Sequence, residues 1–494
     1  MNHWIVFPIL IPAIMAPLLV LTSRFDQVLA RIFSTSATVL MLIVAAVLYY
    51  MAVDGDVLRY EMGKWPSPFG IVFVLDRLSA TMLLLSSLVS VAVALASMDG
   101  WDERGRHFHA LLLMHLGGIN GAFLTGDLFN LFVYFEVMLI GAYGLMVHGG
   151  GPTRLRAGIQ FVVINLCGST IFLIALGLIY GATGGLQMAD VGQLLAQMPT
   201  ANRAVMSCGM ALLVLVFAMK AALVPLHFWL PTAYGHAPPL VAAVFAISTK
   251  VGIYCLIRVH SEVIEGNQHL LSEWVTKWLV PAGLLTTATG MIGVLASRAL
   301  GQMASYATLA STGTIMACVC FFDSQTLSGG MYYLVHSTLA GATLFLVVDA
   351  IASRRGLQSD WLVVSQPIAH AALVGGLFFV AAIGVTGLPP LSGFVGKLLV
   401  LDSVRNTPWA GWIWSVVLST SLLGILGFAR AGSTLFWKSA TFESKECESG
   451  KATSTVMTLV ASGLLVCLLL ALTTSAGHTL AQLQATASQI WESE

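Results

Sequence analysis

Fourteen apolar runs, most of them about the length that crosses a bilayer as a helix, follow one another along the chain. They cover residues 4–22, 32–53, 75–98, 108–125, 128–148, 158–183, 204–224, 238–258, 275–297, 301–322, 329–352, 368–400, 410–430 and 454–474. Charged side chains make up 9% of the 494 residues and hydrophobic ones 57%. A soluble domain carries about a quarter charged residues. The pattern therefore excludes a soluble enzyme and a disordered chain. With 23 basic and 23 acidic residues the net charge is zero, which leaves no basic face for nucleic acid. Gly and Pro inside the runs suit membrane helices, and the alternation of barrel strands is absent. The expected fold class is an all-α polytopic membrane protein.

Charge placement orients it. No positive residue precedes the first run, and Arg24 and Arg31 follow it, the order of an uncleaved first span whose end faces the cytoplasm. With the N-terminus outside, thirteen Lys and Arg fall in cytoplasmic loops and seven, Arg258 among them, in outer loops. That bias predicts a multi-pass protein of a bacterial inner membrane with both termini periplasmic. Two amphipathic segments, 186–198 and a tail bearing Leu480, Leu483, Ile490 and Trp491, are expected to lie along the outer surface. The seven cysteines form no CxxC pair, so neither a metal site nor a cofactor is expected.

Three lysines remain, and all fall inside spans: Lys220, Lys250 and Lys397. Glu136 joins them, and His336 adds a titratable ring. Each such charge costs about 2.5–3.5 kcal/mol at the bilayer centre, and buried charges of this kind usually mark an ion or proton path. A lysine can hold or release its proton according to whether a carboxylate's field reaches it. Two lysines adjoin helix-breaking prolines. One lies in Lys220-Ala-Ala-Leu-Val-Pro225-Leu-His227-Phe-Trp-Leu-Pro231, the other in Gly387-Leu-Pro389-Pro390-Leu-Ser-Gly393-Phe-Val-Gly396-Lys397. Paired breaks point to inverted repeats around an ion path. We expect two five-helix repeats, spans 4–8 and 9–13, with spans 7 and 12 broken. The chain then divides into a three-helix segment (1–107), a first repeat (108–260), a second repeat (275–436) and a last loop, span and periplasmic tail (437–494). His227, two turns beyond Lys220, is a secondary candidate. His115 reads as a satisfied buried histidine. His107 and His109 read as headgroup-level residues, and His260, His269, His370 and His478 as loop or interface residues. Hydroxyls such as Ser248 and Ser311 are expected mainly to bond their own helices.

The stretches Gly126-Asp127-Leu-Phe-Asn130 through Glu136, Phe69-Gly-Ile-Val-Phe-Val-Leu-Asp76-Arg-Leu-Ser-Ala, Lys220 through Pro231 with Tyr234, His236, Pro238 and Pro239, and Pro389 through Lys397 carry a resemblance. It extends over residues 4–475. The chain resembles the antiporter-like membrane subunits of respiratory complex I, membrane hydrogenases and multisubunit Mrp-type cation/proton antiporters, and most of all those of the last. The resemblance implies Glu136 as the paired carboxylate, Lys220 as its partner, Lys250 and His336 as relay residues, and Lys397 as the terminal lysine. It also implies work within a hetero-oligomeric membrane complex moving protons and monovalent cations, sodium foremost. Many relatives carry a lysine four or five residues after the histidine, where this chain has Ala340 and Gly341.

The function expected is a proton-translocating subunit of a monovalent cation/proton antiporter, a transporter rather than an enzyme. The alternatives are a pump subunit of an NADH dehydrogenase or hydrogenase, and a scaffold whose charges only dock partners. No carboxylate cluster forms a sodium cage.

Overall fold

The computed structural model describes residues 3–22, 26–66, 70–264, 272–438 and 456–491. Arg24, Phe69, His269, Lys445, Cys447 and Lys451 lie outside the described residues. Within them are eighteen α-helices and one two-stranded hairpin. Helices α1 (Phe7–Thr22), α2 (Gln27–Val53) and α3 (Arg77–Ser97) precede a first group: α4 (Phe108–Leu124), α5 (Leu128–Met146), α6 (Pro152–Thr183), α7 (Met188–Ala196), α8 (Thr200–Lys220), α9 (Trp229–His236) and α10 (Pro239–Val259). A second group holds α11 (Ser272–Ala296), α12 (Leu300–Val319), α13 (Ser324–Ala352), α14 (Ala371–Thr386), α15 (Ser392–Ser403) and α16 (Ala410–Gly432). Helices α17 (Val456–Thr474) and α18 (Ala476–Trp491) follow. Strands β1 (Leu58–Glu61) and β2 (Val72–Leu75) pair antiparallel, Leu58 opposite Leu75.

Eleven stretches are long and apolar enough to cross a membrane. The shorter α4, the 20-residue α12 and the broken pair α14–α15 bring the crossings to the expected fourteen. Both expected breaks are present. Helix α8 stops at Lys220, and a single 3₁₀ turn at Leu226–Phe228 leads into α9. Helix α14 stops at Thr386, and α15 resumes at Ser392. Each break contains a cis peptide, Val224–Pro225 and Pro389–Pro390. Gly387 caps α14 with φ +79°, and a Cβ there would meet the Lys397 stem at 2.6 Å. Only glycine both takes that backbone and lets the lysine pass over it.

The two innermost spans are those that contain α10 and α13, buried over 94% and 89% of their most apolar windows. They are apolar all round, as helices enclosed by other helices must be. Helix α6 instead turns Ile159, Val163, Leu166 and Leu173 outward, onto the face that lipid or a partner covers. Helices α4 and α5 meet at backbone distance. A Cβ at Gly118 would lie 2.4 Å from the Met138 nitrogen, and one at Gly141 would lie 2.7 Å from the His115 nitrogen. Small residues allow this approach, and it fixes His115 against α5.

Asp76 and Asp127, from two of the stretches that carry the resemblance, start helices α3 and α5. Asp76 accepts the Ser79 N–H at 2.8 Å and Asp127 the Asn130 N–H at 2.7 Å. Asp76 is also paired with Arg258 at 2.6 and 2.8 Å. Both of its oxygens thus meet the guanidinium fork, the geometry that lets a buried carboxylate stay charged. Arg258 is therefore a buried structural charge and not an outer-loop marker. His109 likewise is buried, its Nε2 3.2 Å from Asp102, rather than at the headgroup level. Asp102 is also held by Arg31 at 2.6 and 2.9 Å. His260 is buried and stacked on Phe322, not in a loop.

The two amphipathic segments dock on protein. In α18, Leu483, Ala487 and Ile490 are buried, and Gln489 accepts the Arg77 N–H at 3.0 Å and donates to the Gly55 carbonyl at 2.7 Å. In α7, Met188 and Val191 are buried, and a Cβ at Gly192 would lie 2.3 Å from the Glu262 carbonyl oxygen.

Candidate functional site

The side chains in question are set by helix position. Asn165 and Ser169 lie four apart on α6 and so share one face. The Ser169 hydroxyl donates to Oε1 of Glu136 on α5. One turn away, Lys220 Nζ donates to Asn165 Oδ1 at 3.1 Å. The Asn165 amide nitrogen donates to the Phe161 carbonyl at 2.8 Å, which turns Oδ1 toward the lysine. The Lys220 ammonium also lies 5.5 Å from the Phe135 ring centre, a cation–π distance. Glu136 and Lys220 therefore make no ion-pair contact with one another. Two neutral side chains of α6 bond them instead, Ser169 the carboxylate and Asn165 the ammonium.

Across a cavity of about 20 Å³, on the scale of one or two waters, Lys220 faces His115 on α4 and Ser248 on α10. His115 Nδ1 is 2.8 Å from the Met138 carbonyl, and Nε2 is 3.0 Å from the Ser248 hydroxyl. A carbonyl only accepts, so Nδ1 carries the hydrogen and Nε2 of the neutral ring accepts from Ser248.

Lys250, on α10 with Ser248, is fully buried, and its Nζ donates to Ser311 on α12 at 3.4 Å. Ser311 itself donates to the Thr308 carbonyl at 2.7 Å, the self-bonding expected of a helical hydroxyl. Ser311, Thr308, His336, Ala340 and Gly341 line a second cavity of about 10 Å³, the scale of one water. Its lining comes from α12, α13 and α14, all of the second group.

His336 repeats the pattern of His115. Its Nε2 donates to the Gly384 carbonyl at 3.0 Å, and its Nδ1 accepts from the Ser392 hydroxyl at 2.9 Å. A Cβ at Gly393 would lie 2.0 Å from the Gly384 oxygen and 2.8 Å from the imidazole, so glycine is needed for α15 to start there. Lys397 donates to the carbonyl of Thr386 at 2.7 Å and to the Ser421 hydroxyl on α16 at 2.8 Å. Thr386 is the last residue of α14, so this ammonium rests on the negative end of a half-helix. His227 falls in the 3₁₀ turn after the first break. It lines neither cavity, and its Nδ1 is buried without a hydrogen-bond partner among the described residues.

Residues 125–424 match the family described as NADH:quinone oxidoreductase/Mrp antiporter, TM. The chain belongs to this family. It is 40% identical over 472 residues to a probable K(+)/H(+) antiporter subunit of Rhizobium meliloti (strain 1021), covering 89% of this chain and 88% of that one. It is 34% identical over 470 residues to an Na(+)/H(+) antiporter subunit of Alkalihalophilus pseudofirmus, covering 93% of each. A chain in the structure of the Mrp complex from Dietzia sp. DQ12-45-1b superposes with a TM-score of 0.88 at 27% identity, over 100% of this chain and 98% of that one. A chain of respiratory complex I from Thermus thermophilus shares the fold, with a TM-score of 0.82 at 23% identity and 99% coverage of both.

In this Mrp/complex I-type chain several neighbours of the buried charges are not evident from the sequence. Asn165, the lone asparagine of an apolar run, does carry a signal there. Ser392 and Ser421 carry none, because serines are common in these helices. Asp349, near the end of α13, is a further buried carboxylate. Its Oδ1 accepts the Trp101 indole N–H at 2.7 Å.

Proposed function

We propose that this chain is the proton-translocating subunit of a multisubunit monovalent cation/proton antiporter. In this reading it is a secondary transporter subunit and not an enzyme, seated in a bacterial inner membrane with both termini periplasmic. The observation that carries the reading is the order of the buried groups. Glu136, Lys220, Lys250, His336 and Lys397 run from α5 to α15, each bonded to a hydroxyl, amide or carbonyl, with water-sized cavities at Lys220 and at His336. Buried charges of fixed structural use would be expected in close ion pairs, as Arg258 is with Asp76. These lysines rest on neutral partners instead, which leaves their protons free to move.

The proposed division is 1–107, 108–260, 275–436 and 437–494, the two middle parts being the repeats. The cavity beside Ala340 and Gly341 has room for a water where many relatives place a lysine, and His336 would pass protons through it. His227 would stand aside from the path. The relatives' names divide between potassium and sodium, so the cation is assigned to the assembled complex, with sodium tested first.

In everted vesicles bearing the complete complex, Glu136→Gln or Lys220→Ala should abolish ΔpH-driven sodium and potassium exchange while native gels show normal assembly. Exchange at the unmodified rate in an assembled variant overturns the reading.

A further inference from the structure

Both nitrogens of His115 are bonded, as expected of a satisfied buried histidine. The company it keeps says more. The cavity it lines contains one cationic side chain, Lys220. The other titratable group there, Tyr234, donates its hydroxyl to the Phe245 carbonyl at 2.8 Å. The imidazole is therefore the one neutral nitrogen base facing the lysine across a space of water size.

A second observation is internal. His115 and His336 are held alike, though they sit in different helix groups. Each has one ring nitrogen on a backbone carbonyl and the other on a serine hydroxyl, and each borders a water-sized cavity. A mere cross-tie between helices needs no titratable ring; an amide or hydroxyl would serve.

We propose that His115 is a further proton-carrying residue, the first-half counterpart of His336, exchanging protons with Lys220 through Ser248. The inference rests on the relay reading given above. The step balances as follows. The Lys220 N–H bond breaks and its proton passes to a cavity water. That water gives a proton to the Ser248 oxygen as the Ser248 hydroxyl proton moves to Nε2 of His115. Lys220 is left a neutral amine and His115 an imidazolium, with no net change of charge. Nδ1 keeps its hydrogen, which it donates to the Met138 carbonyl, an acceptor that cannot take a proton. The ring thus fills and empties through one nitrogen, and Ser248, two residues from Lys250 on α10, is its outlet.

The test uses the intact complex in everted vesicles, with cation-driven proton flux, its pH profile and assembly all measured. His115→Gln keeps an amide near Nε2, and His115→Asn keeps one near Nδ1, so one or the other preserves each structural bond. Both should assemble and lose flux about a hundredfold, a typical contribution of a positioned proton-transfer group. Their residual flux should lose the wild-type pH profile. Ser248→Ala should also lower flux, and should add nothing to His115→Gln. Lys220→Ala runs alongside. If it abolishes flux while both His115 variants keep the wild-type rate and profile, His115 is a cross-tie and this inference alone falls. If Lys220→Ala itself retains flux, the relay reading falls and takes this inference with it.

Discussion

Lys220 and Lys397 each lie in a span broken at proline, but their surroundings differ. Lys220 is the last residue of α8 and bonds Asn165, with the Glu136 carboxylate one α6 turn away. Lys397 belongs to the half-helix after the break and reaches back to the last carbonyl of α14, with Ser421 as its second acceptor. Among the described residues, no carboxylate is a hydrogen-bond partner of Lys397. The first half thus sets a full negative charge near its lysine and the second a helix end, which acts as about half a charge. A carboxylate can gain or lose a proton, whereas a helix end is constant. On the relay reading, the variable charge lies in the first half, and the second receives what it sends.

The largest expected effect tests whether both lysines must titrate. Lys220→Arg and Lys397→Arg keep the positive charge but cannot give up a proton under any working condition. Each should lower cation-driven proton flux by about 10²-fold or more in a fully assembled complex. Wild-type flux in only one of the two would make that lysine a fixed charge, and the halves would no longer be two versions of one device.

A smaller effect should separate the halves. Asn165→Leu takes from Lys220 its one direct acceptor among the described residues. A hydrogen bond to a charged group is worth about 1.5–3 kcal/mol, so flux should fall about tenfold or more. Ser421→Ala leaves Lys397 the Thr386 carbonyl, and its flux should fall less. The reverse order, measured in the same vesicles, would mean that the helix end contributes little and that the hydroxyl holds the second lysine.

How much of this can be read from the sequence follows from what hydropathy can see. The spans, both breaks and the buried lysines are legible, because a charge or proline inside twenty apolar residues has no cheap explanation. Arg258 looks like a loop residue because it is the next-to-last residue of α10, where a charge next to polar sequence looks exposed. Its partner Asp76 is 182 positions away. Glu136 and Lys220 look like partners because each is a lone charge in an apolar span, and nothing local shows that Ser169 and Asn165 of α6 are what bond them. His115 is legible as buried but not as facing Lys220, since that depends on the backbone contact between α4 and α5. The space at Ala340 and Gly341 is a property of packing, to which a run of small residues gives no clue.

The smallest effect bears on the absent carboxylate. Asp349 is the acidic residue that shares α13 with His336, and if it served the second half the contrast drawn above would fail. Thirteen residues at 1.5 Å rise put it about 20 Å along the helix from His336. Phe345 and Leu346, both buried, lie on the way. Its Oδ1 accepts the Trp101 indole N–H, and the Trp101 carbonyl accepts from His148 at 2.8 Å. Asp349 therefore ties α13 to the loop between α3 and α4 and to the end of α5. Asp349→Asn keeps an oxygen for the indole and removes only the charge. Flux and its pH profile should stay at wild-type values, while Asp349→Leu, which strands the indole N–H, should lower assembly by native gel. A tenfold loss of flux in assembled Asp349→Asn would give the second half a carboxylate of its own, and the two halves would then differ in distance rather than in kind.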